Sequence, residues 1–173
     1  SMKYHGIIVD ANFKAGNDYA GRIEVLEDYH PKMTVQYKRK NIYITANYLL
    51  SIRDNAQCGE AFATAVHELG HLFCHHLTAV PRKAWEVRYL DHASKEFEAE
   101  SVSYIVCARL GIKTTSADYL SGYCKKNKTI PAISVENIFT ACNHILNMIE
   151  GIPLKQGILY KYDENFKRYI DRV

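Results

Sequence analysis

Between residues 6 and 46 the chain carries short runs of apolar, β-branched and aromatic side chains broken by polar stretches. Gly6-Ile7-Ile8-Val9 is apolar, and Arg22-Ile23-Glu24-Val25-Leu26-Glu27 alternates in part, as a half-buried strand does. Met33-Thr34-Val35-Gln36-Tyr37 and Ile42-Tyr43-Ile44-Thr45 are rich in strand-forming residues, and the polar Lys38-Arg39-Lys40-Asn41 between them fits a hairpin turn. The pattern predicts a small antiparallel sheet over about 6–46.

From about residue 55 the period changes. Residues 61–74 are apolar almost all round, the signature of a buried central helix, and Pro81 bounds it on the far side. A loop with Trp85 and Tyr89 follows. Ser94 is the expected N-cap of a second helix that runs to Leu110 and stops at Gly111. Ser134 caps a third, in which Ile138, Cys142, Ile145 and Ile149 recur at helical spacing before Gly151 and Pro153. In the tail, 154–173, only residues 158–162 read as a strand. With no repeat or linker, the expectation is one α+β domain over 1–173: the sheet, helices over about 55–111, and a C-terminal helix over about 134–151.

Composition narrows the class. With 47% hydrophobic and 24% charged residues the chain reads as soluble and globular. No apolar run approaches the roughly 20 residues that span a bilayer, and there is no secretory segment at the start, so a cytoplasmic location is expected. A net charge of +3 argues against obligate binding to nucleic acid or an acidic membrane. The 5 cysteines, an odd number without a C-x-x-C pair, read as reduced, mostly buried thiols. The 8 histidines are an excess, and histidine is the commonest metal ligand.

Two of those histidines belong to His67-Glu68-Leu69-Gly70-His71, an H-E-x-x-H inside the apolar helix. Residues four apart on a helix are separated by about 40° and roughly 6 Å of rise, so both imidazoles can converge on one zinc ion. Glu68 projects to the same open side, where it can take a proton from water. The alternative is a surface helix with a stray His-Glu-His; the core residues Ala65, Val66, Leu69, Leu72 and Phe73 around the motif speak against it.

A zinc site needs a third protein ligand. Cys74 and Leu77 stand where the metzincin pattern has glycine and histidine, which rejects that class. His75 lies about 12 Å along the axis from His67 and cannot share the ion; His75 and His76 read as helix-end residues favoured by the dipole. Cys74 reads as a core residue. The better source is the next helix, Lys95-Glu96-Phe97-Glu98-Ala99-Glu100-Ser101. Glu96 and Glu100 share one face, so Glu96 can ligate while Glu100 holds the outer N–H of a histidine. If Glu96 is not the ligand, Glu100 is the next choice. The competing account makes Glu96 and Glu98 first-turn acids at a helix N-terminus.

The run from Ala61 to His76, followed by Glu96-Phe97-Glu98-Ala99-Glu100, resembles the zincin-type metallopeptidases of the ImmA/IrrE group and the metallopeptidase domain of ArdC-like antirestriction proteins. The stretches 107–112 and 138–141 are more similar to the ArdC-like domain. The likeness covers roughly 40–150. It implies a zincin-like fold and a zinc peptidase with His67, His71 and Glu96 as ligands and Glu68 as general base. The expected departure from both groups is at the start: about 50 residues of strands are too few to assume the single-stranded-DNA-binding domain of ArdC-like proteins, and the helix-turn-helix often joined to ImmA/IrrE proteins is not read in this sequence.

The expected reaction is amide hydrolysis of a protein or peptide, with Zn2+ as cofactor. Tyr104, His92 and Tyr89 are candidates for a donor to the transition state, His144 being phased away from the apolar face. The substrate would pair in extended form with an exposed strand edge such as 42–45. The rivals are a non-catalytic pseudo-peptidase or interaction module, and a nucleic-acid binder using Lys38-Arg39-Lys40 and Lys125-Lys126-Asn127-Lys128. Charge clusters that small are usually solvated turns, so nucleic acid is not the expected partner.

Overall fold

The computed structural model describes residues 2–14, 19–26, 31–37, 40–79, 85–127 and 129–151. Lys38 and Arg39 of the expected turn, Lys128 of the second basic cluster, Pro81, Pro153 and the expected tail strand at 158–162 lie outside the described residues. After a short 3-10 turn, Met2–His5, come β1 (Ile7–Phe13), β2 (Gly21–Val25), β3 (Lys32–Tyr37), β4 (Lys40–Thr45) and β5 (Tyr48–Arg53). Four helices follow: α1 (Cys58–Phe73), α2 (His92–Arg109), α3 (Ser116–Asn127) and α4 (Val135–Ile149). The class is α+β, as expected. No helix among the described residues is long and apolar enough to cross a membrane.

The strands do not form one antiparallel sheet. β3 and β4 make a separate two-stranded hairpin, with Met33 opposite Ile44. The other three run in the order β1-β5-β2. β5 is antiparallel to β2, with Leu50 opposite Ile23, but parallel to β1, with Leu50 opposite Val9. The sheet is therefore mixed, and its central strand is the one the sequence pattern does not announce. Tyr48-Leu49-Leu50-Ser51-Ile52-Arg53 is buried or half-buried at every position. A strand covered on both faces loses the two-residue alternation that marks a half-buried one.

α1 occupies the centre, touching β2 and β5 on one side and α2 and α4 on the other. Its Val66, Leu69, Leu72 and Phe73 join Tyr48 and Leu50 of β5, Val102 and Val106 of α2, and Ile138 and Ile145 of α4 in one core. Each large apolar side chain buried there contributes about 1.5–3 kcal/mol. The α1–α2 contact is close because Gly70 lacks a side chain: a Cβ there would meet the Ala99 Cα at 3.0 Å and its carbonyl oxygen at 3.2 Å.

The helix ends hold one correction. α2 begins before Ser94: Asp91 is the N-cap and accepts from the Ser94 backbone N–H at 2.9 Å and the Ser94 hydroxyl at 2.8 Å. Ser94 is thus the donor of the cap, and His92 lies inside the helix. Gly111, with φ at 71°, sits in the left-handed conformation just beyond the end of α2, as expected of the stop. Ser134 caps α4, accepting from the Asn137 N–H at 3.2 Å. The buried stripe of α4 is Ile138, Ala141, Cys142, Ile145 and Met148, while Ile149 is exposed. α3 carries no hydrophobic period that would announce it: Ser116 is its one buried residue and it has no apolar stripe.

Candidate metal centre

α1 presents His67 and His71 one turn apart, and α2 lays Glu96 across them. His67 Nε2 lies 3.2 Å from His71 Nε2 and 3.4 Å from Glu96 Oε2, and His71 Nε2 lies 3.3 Å from Glu96 Oε1. Ligands bonded to zinc at about 2.0–2.1 Å and held at the tetrahedral angle are themselves about 3.3–3.4 Å apart. The donor set, two imidazole nitrogens and a carboxylate, is one that zinc takes, and its spacing fits one tetrahedral face. Among the described residues no fourth histidine, cysteine or acid joins this group.

The outer nitrogens of both rings are held. His67 Nδ1 donates to Glu100 Oε2 at 2.7 Å, the arrangement expected for Glu100. The buried Ser116 hydroxyl at the start of α3 also bonds Glu100. His71 Nδ1 lies 3.0 Å from His76 Nδ1, and His76 Nε2 lies 2.9 Å from Glu98 Oε2. His76 is therefore not a residue solvated at the helix end. It is buried, and the chain folds it back beneath His71 by a Schellman turn. In that turn His75 N–H donates to Leu72 O at 3.1 Å and His76 N–H to His71 O at 3.0 Å. The turn needs a left-handed residue, and His75 supplies it with φ at 64°, the one non-glycine among the described residues to do so. Trp85 stacks on its ring at 5.1 Å, and Arg88 N–H bonds its carbonyl at 2.9 Å.

Glu98, with no solvent exposure, is the anchor on that side. Arg88 forks onto it at 2.6 and 2.8 Å, and the Ser134 N–H donates at 2.6 Å. Burial works against its charge, but the donors from His76, Arg88 and Ser134 outweigh burial and hold the carboxyl down at about 2. Arg88 also bonds the Cys74 carbonyl at the end of α1, at 3.1 Å. Cys74 is buried and its thiol is pushed up to about 12, chiefly by burial, which agrees with a core role. From the sequence His76 and Glu98 read only as helix-end residues, and Arg88 carries no signal. A signal for Glu98 exists: Ser94, Glu98, Val102 and Val106 recur every four residues and are all buried, so an acid in that row demands a cation.

The centre favours positive charge. Burial opposes an imidazolium at His67, yet its hydrogen bonds to Glu100 and Glu96 raise it to about 10. Burial likewise opposes the Glu96 carboxylate, but the two histidines hold it below the ordinary range. Glu68 stands outside the ligand group. Burial raises its carboxyl, and the charges of His67 and His71 and a hydrogen bond from the Ile23 backbone N–H work against that rise.

That hydrogen bond places β2 beside the site. Leu26 N–H bonds Asn47 O at 2.9 Å and Arg53 N–H bonds Ala20 O at 3.0 Å, so even-numbered residues of this segment face β5. Gly21, Ile23 and Val25 turn their backbone groups to the outer edge. The strand edge at the centre is therefore β2, not the expected 42–45, which belongs to β4 of the hairpin. A cleft of about 800 Å³ opens at the start of β2, lined by Gly21, Thr64, His67, Glu68, Glu100 and Lys113 among others.

Of the candidate transition-state donors, His92 comes nearest, its Nδ1 at 3.6 Å from Glu96 Oε1 with an exposed ring. Tyr104 and Tyr89 are exposed. His144 packs on Phe73 at 5.3 Å. Tyr119 of α3, unremarked in the sequence, lies near enough that burial, then the charges of Glu96 and Glu100, raise its phenol. Comparison of the chain with models of protein families, with curated proteins and with solved structures gives no match.

Proposed function

We propose that this protein is a zinc-dependent peptidase of zincin-like type, similar to the ImmA/IrrE and ArdC-like groups, acting on an extended segment of a protein or peptide. One observation carries the reading: the donor atoms of His67, His71 and Glu96 lie 3.2–3.4 Å from one another, with Glu68 beside them but outside the group. Three ligands are the number of a catalytic zinc site, whereas structural sites usually close with four. Zinc supplies Lewis acidity, lowering the pKa of bound water to near 7 and polarising a carbonyl.

The chain's own residues do the rest. Glu68 takes a proton from the attacking water as its oxygen adds to the scissile carbonyl carbon. It then gives that proton to the amide nitrogen as the C–N bond breaks. A carboxyl raised by burial is suited to hold a proton between those two steps. The outer edge of β2 offers the backbone groups of Gly21 and Val25 to an extended substrate, on either side of the Ile23 N–H that holds Glu68. The free thiols, three of them buried, agree with a reducing, cytoplasmic setting.

The test is Glu68→Gln. The variant is expected to bind one zinc, measured by metal analysis after dialysis, while cleavage of a degenerate peptide library falls by about 10²–10⁴-fold. Undiminished cleavage with zinc retained would sink the mechanism.

A further inference from the structure

We infer that His76, Glu98 and Arg88 form a positioning relay that sets the tautomer of His71 and so prepares it as a metal ligand. The inference rests on reading the centre as a zinc site, and deepens it.

The proton inventory runs inward from the far end. Glu98 accepts four hydrogen bonds: Oε2 from Arg88 Nη1 and His76 Nε2, Oε1 from Arg88 Nη2 and the Ser134 N–H. An ionised carboxylate only accepts, so the His76 nitrogen facing it carries a hydrogen. Arg88 already pairs the Glu98 charge, and a second full cation on a ring whose side chain is 1% exposed would be costly, so His76 is neutral. Its Nδ1 is then a lone pair, facing His71 Nδ1 at 3.0 Å. His71 must therefore carry its hydrogen on Nδ1, which leaves the Nε2 lone pair directed at Glu96 and His67 Nε2.

The architecture is built to hold this. The left-handed His75, the Trp85 stack and the Arg88 bonds to the Cys74 and His75 carbonyls fix where His76 lies. Arg88 also reaches Asn137 of α4: with the Asn137 amide turned so that its oxygen faces the guanidinium, that oxygen accepts from Nε at 3.2 Å and Nη1 at 3.0 Å. On the other ligand one carboxylate, Glu100, holds the outer Nδ1 hydrogen of His67. Both histidines are thus oriented from α2, His67 by Glu100 together with α3, and His71 by Glu98 together with the 85–91 segment and the start of α4.

The experiment compares wild type, His76→Phe and His76→Asn, reading zinc affinity by chelator competition and the visible spectrum of the cobalt-loaded protein. His76→Phe is expected to weaken zinc by about 10–100-fold and shift the cobalt bands. His76→Asn, whose amide oxygen can accept from His71 Nδ1–H, is expected to recover most of both. Unchanged affinity and bands in His76→Phe would overturn the relay while leaving the zinc centre standing. A wild type that binds no stoichiometric zinc would overturn both. Long-range 15N–1H spectra of the zinc-loaded wild type need no variant. His71 protonated at Nδ1 and His76 at Nε2 alone would support the relay, and a hydrogen on His76 Nδ1 would refute it.

Discussion

Glu98 shows how a single side chain couples stability to pH. Its carboxyl stands at about 2 in the folded chain against an ordinary 4.5. Between those values the unfolded chain binds the extra proton, so the stability Glu98 contributes is complete above about pH 4.5 and is lost as pH falls toward 2. Urea unfolding at stepped pH should show that loss in wild type and a shallower one in Glu98→Gln. At neutral pH the same variant, which leaves the Arg88 guanidinium and the His76 N–H without their anion, should be less stable by about 3 kcal/mol. Equal pH slopes in the two proteins would contradict the assignment. The comparison with the variant isolates Glu98 from the other carboxyls of the molecule.

At the scale of elements, the distance between α1 and α2 sets the ligand spacing. Gly70 is the contact point, and its missing Cβ would press on Ala99 backbone atoms and on Val102 Cβ at 3.3 Å. Backbone cannot yield as a flexible side-chain tip can, so the helices must part. In Gly70→Ala the better helix propensity of alanine, about 1 kcal/mol, is set against about 1–3 kcal/mol of overpacking. The expected outcome is a net loss near 1 kcal/mol in thermal unfolding and zinc binding weaker by about tenfold, because a site displaced by half an ångström loses its fit. Unaltered zinc affinity would show that the glycine serves packing alone.

For the whole molecule, zinc would act as a bridge between two helices whose ligands lie 25 to 29 residues apart in sequence. Binding to the folded chain alone adds stability by mass action, about 2.7 kcal/mol at a hundredfold excess over Kd. Chelation should lower the melting temperature and zinc restore it. Loading should also release protons: His67, raised to about 10, holds its hydrogen on both nitrogens at neutral pH and must give up the one on Nε2 to ligate. Titration calorimetry in buffers of different ionisation enthalpy should report about one proton per ion from this residue, and affinity should fall as pH falls. A binding enthalpy independent of buffer would refute that linkage.

What the sequence determines by itself is what short-range geometry governs. The convergence of His67 with His71 and the shared face of Glu96 and Glu100 follow from helical spacing, and Ser134 as a cap and Gly111 as a stop follow from local hydrogen bonding and backbone freedom. The α+β class and the strands at β1 to β4 follow from hydrophobic period. The tertiary structure decided the rest. β5 at the sheet's centre shows no alternation because both its faces are covered, and its parallel pairing with β1 joins segments some 40 residues apart. Packing of α1 against α2 brings Glu96 onto the two histidines, and the left-handed turn at His75 brings His76 to Glu98 and Arg88. The edge that borders the centre is β2 because β5 covers its other side. These contacts join residues that no local period relates, so only the folded chain holds them.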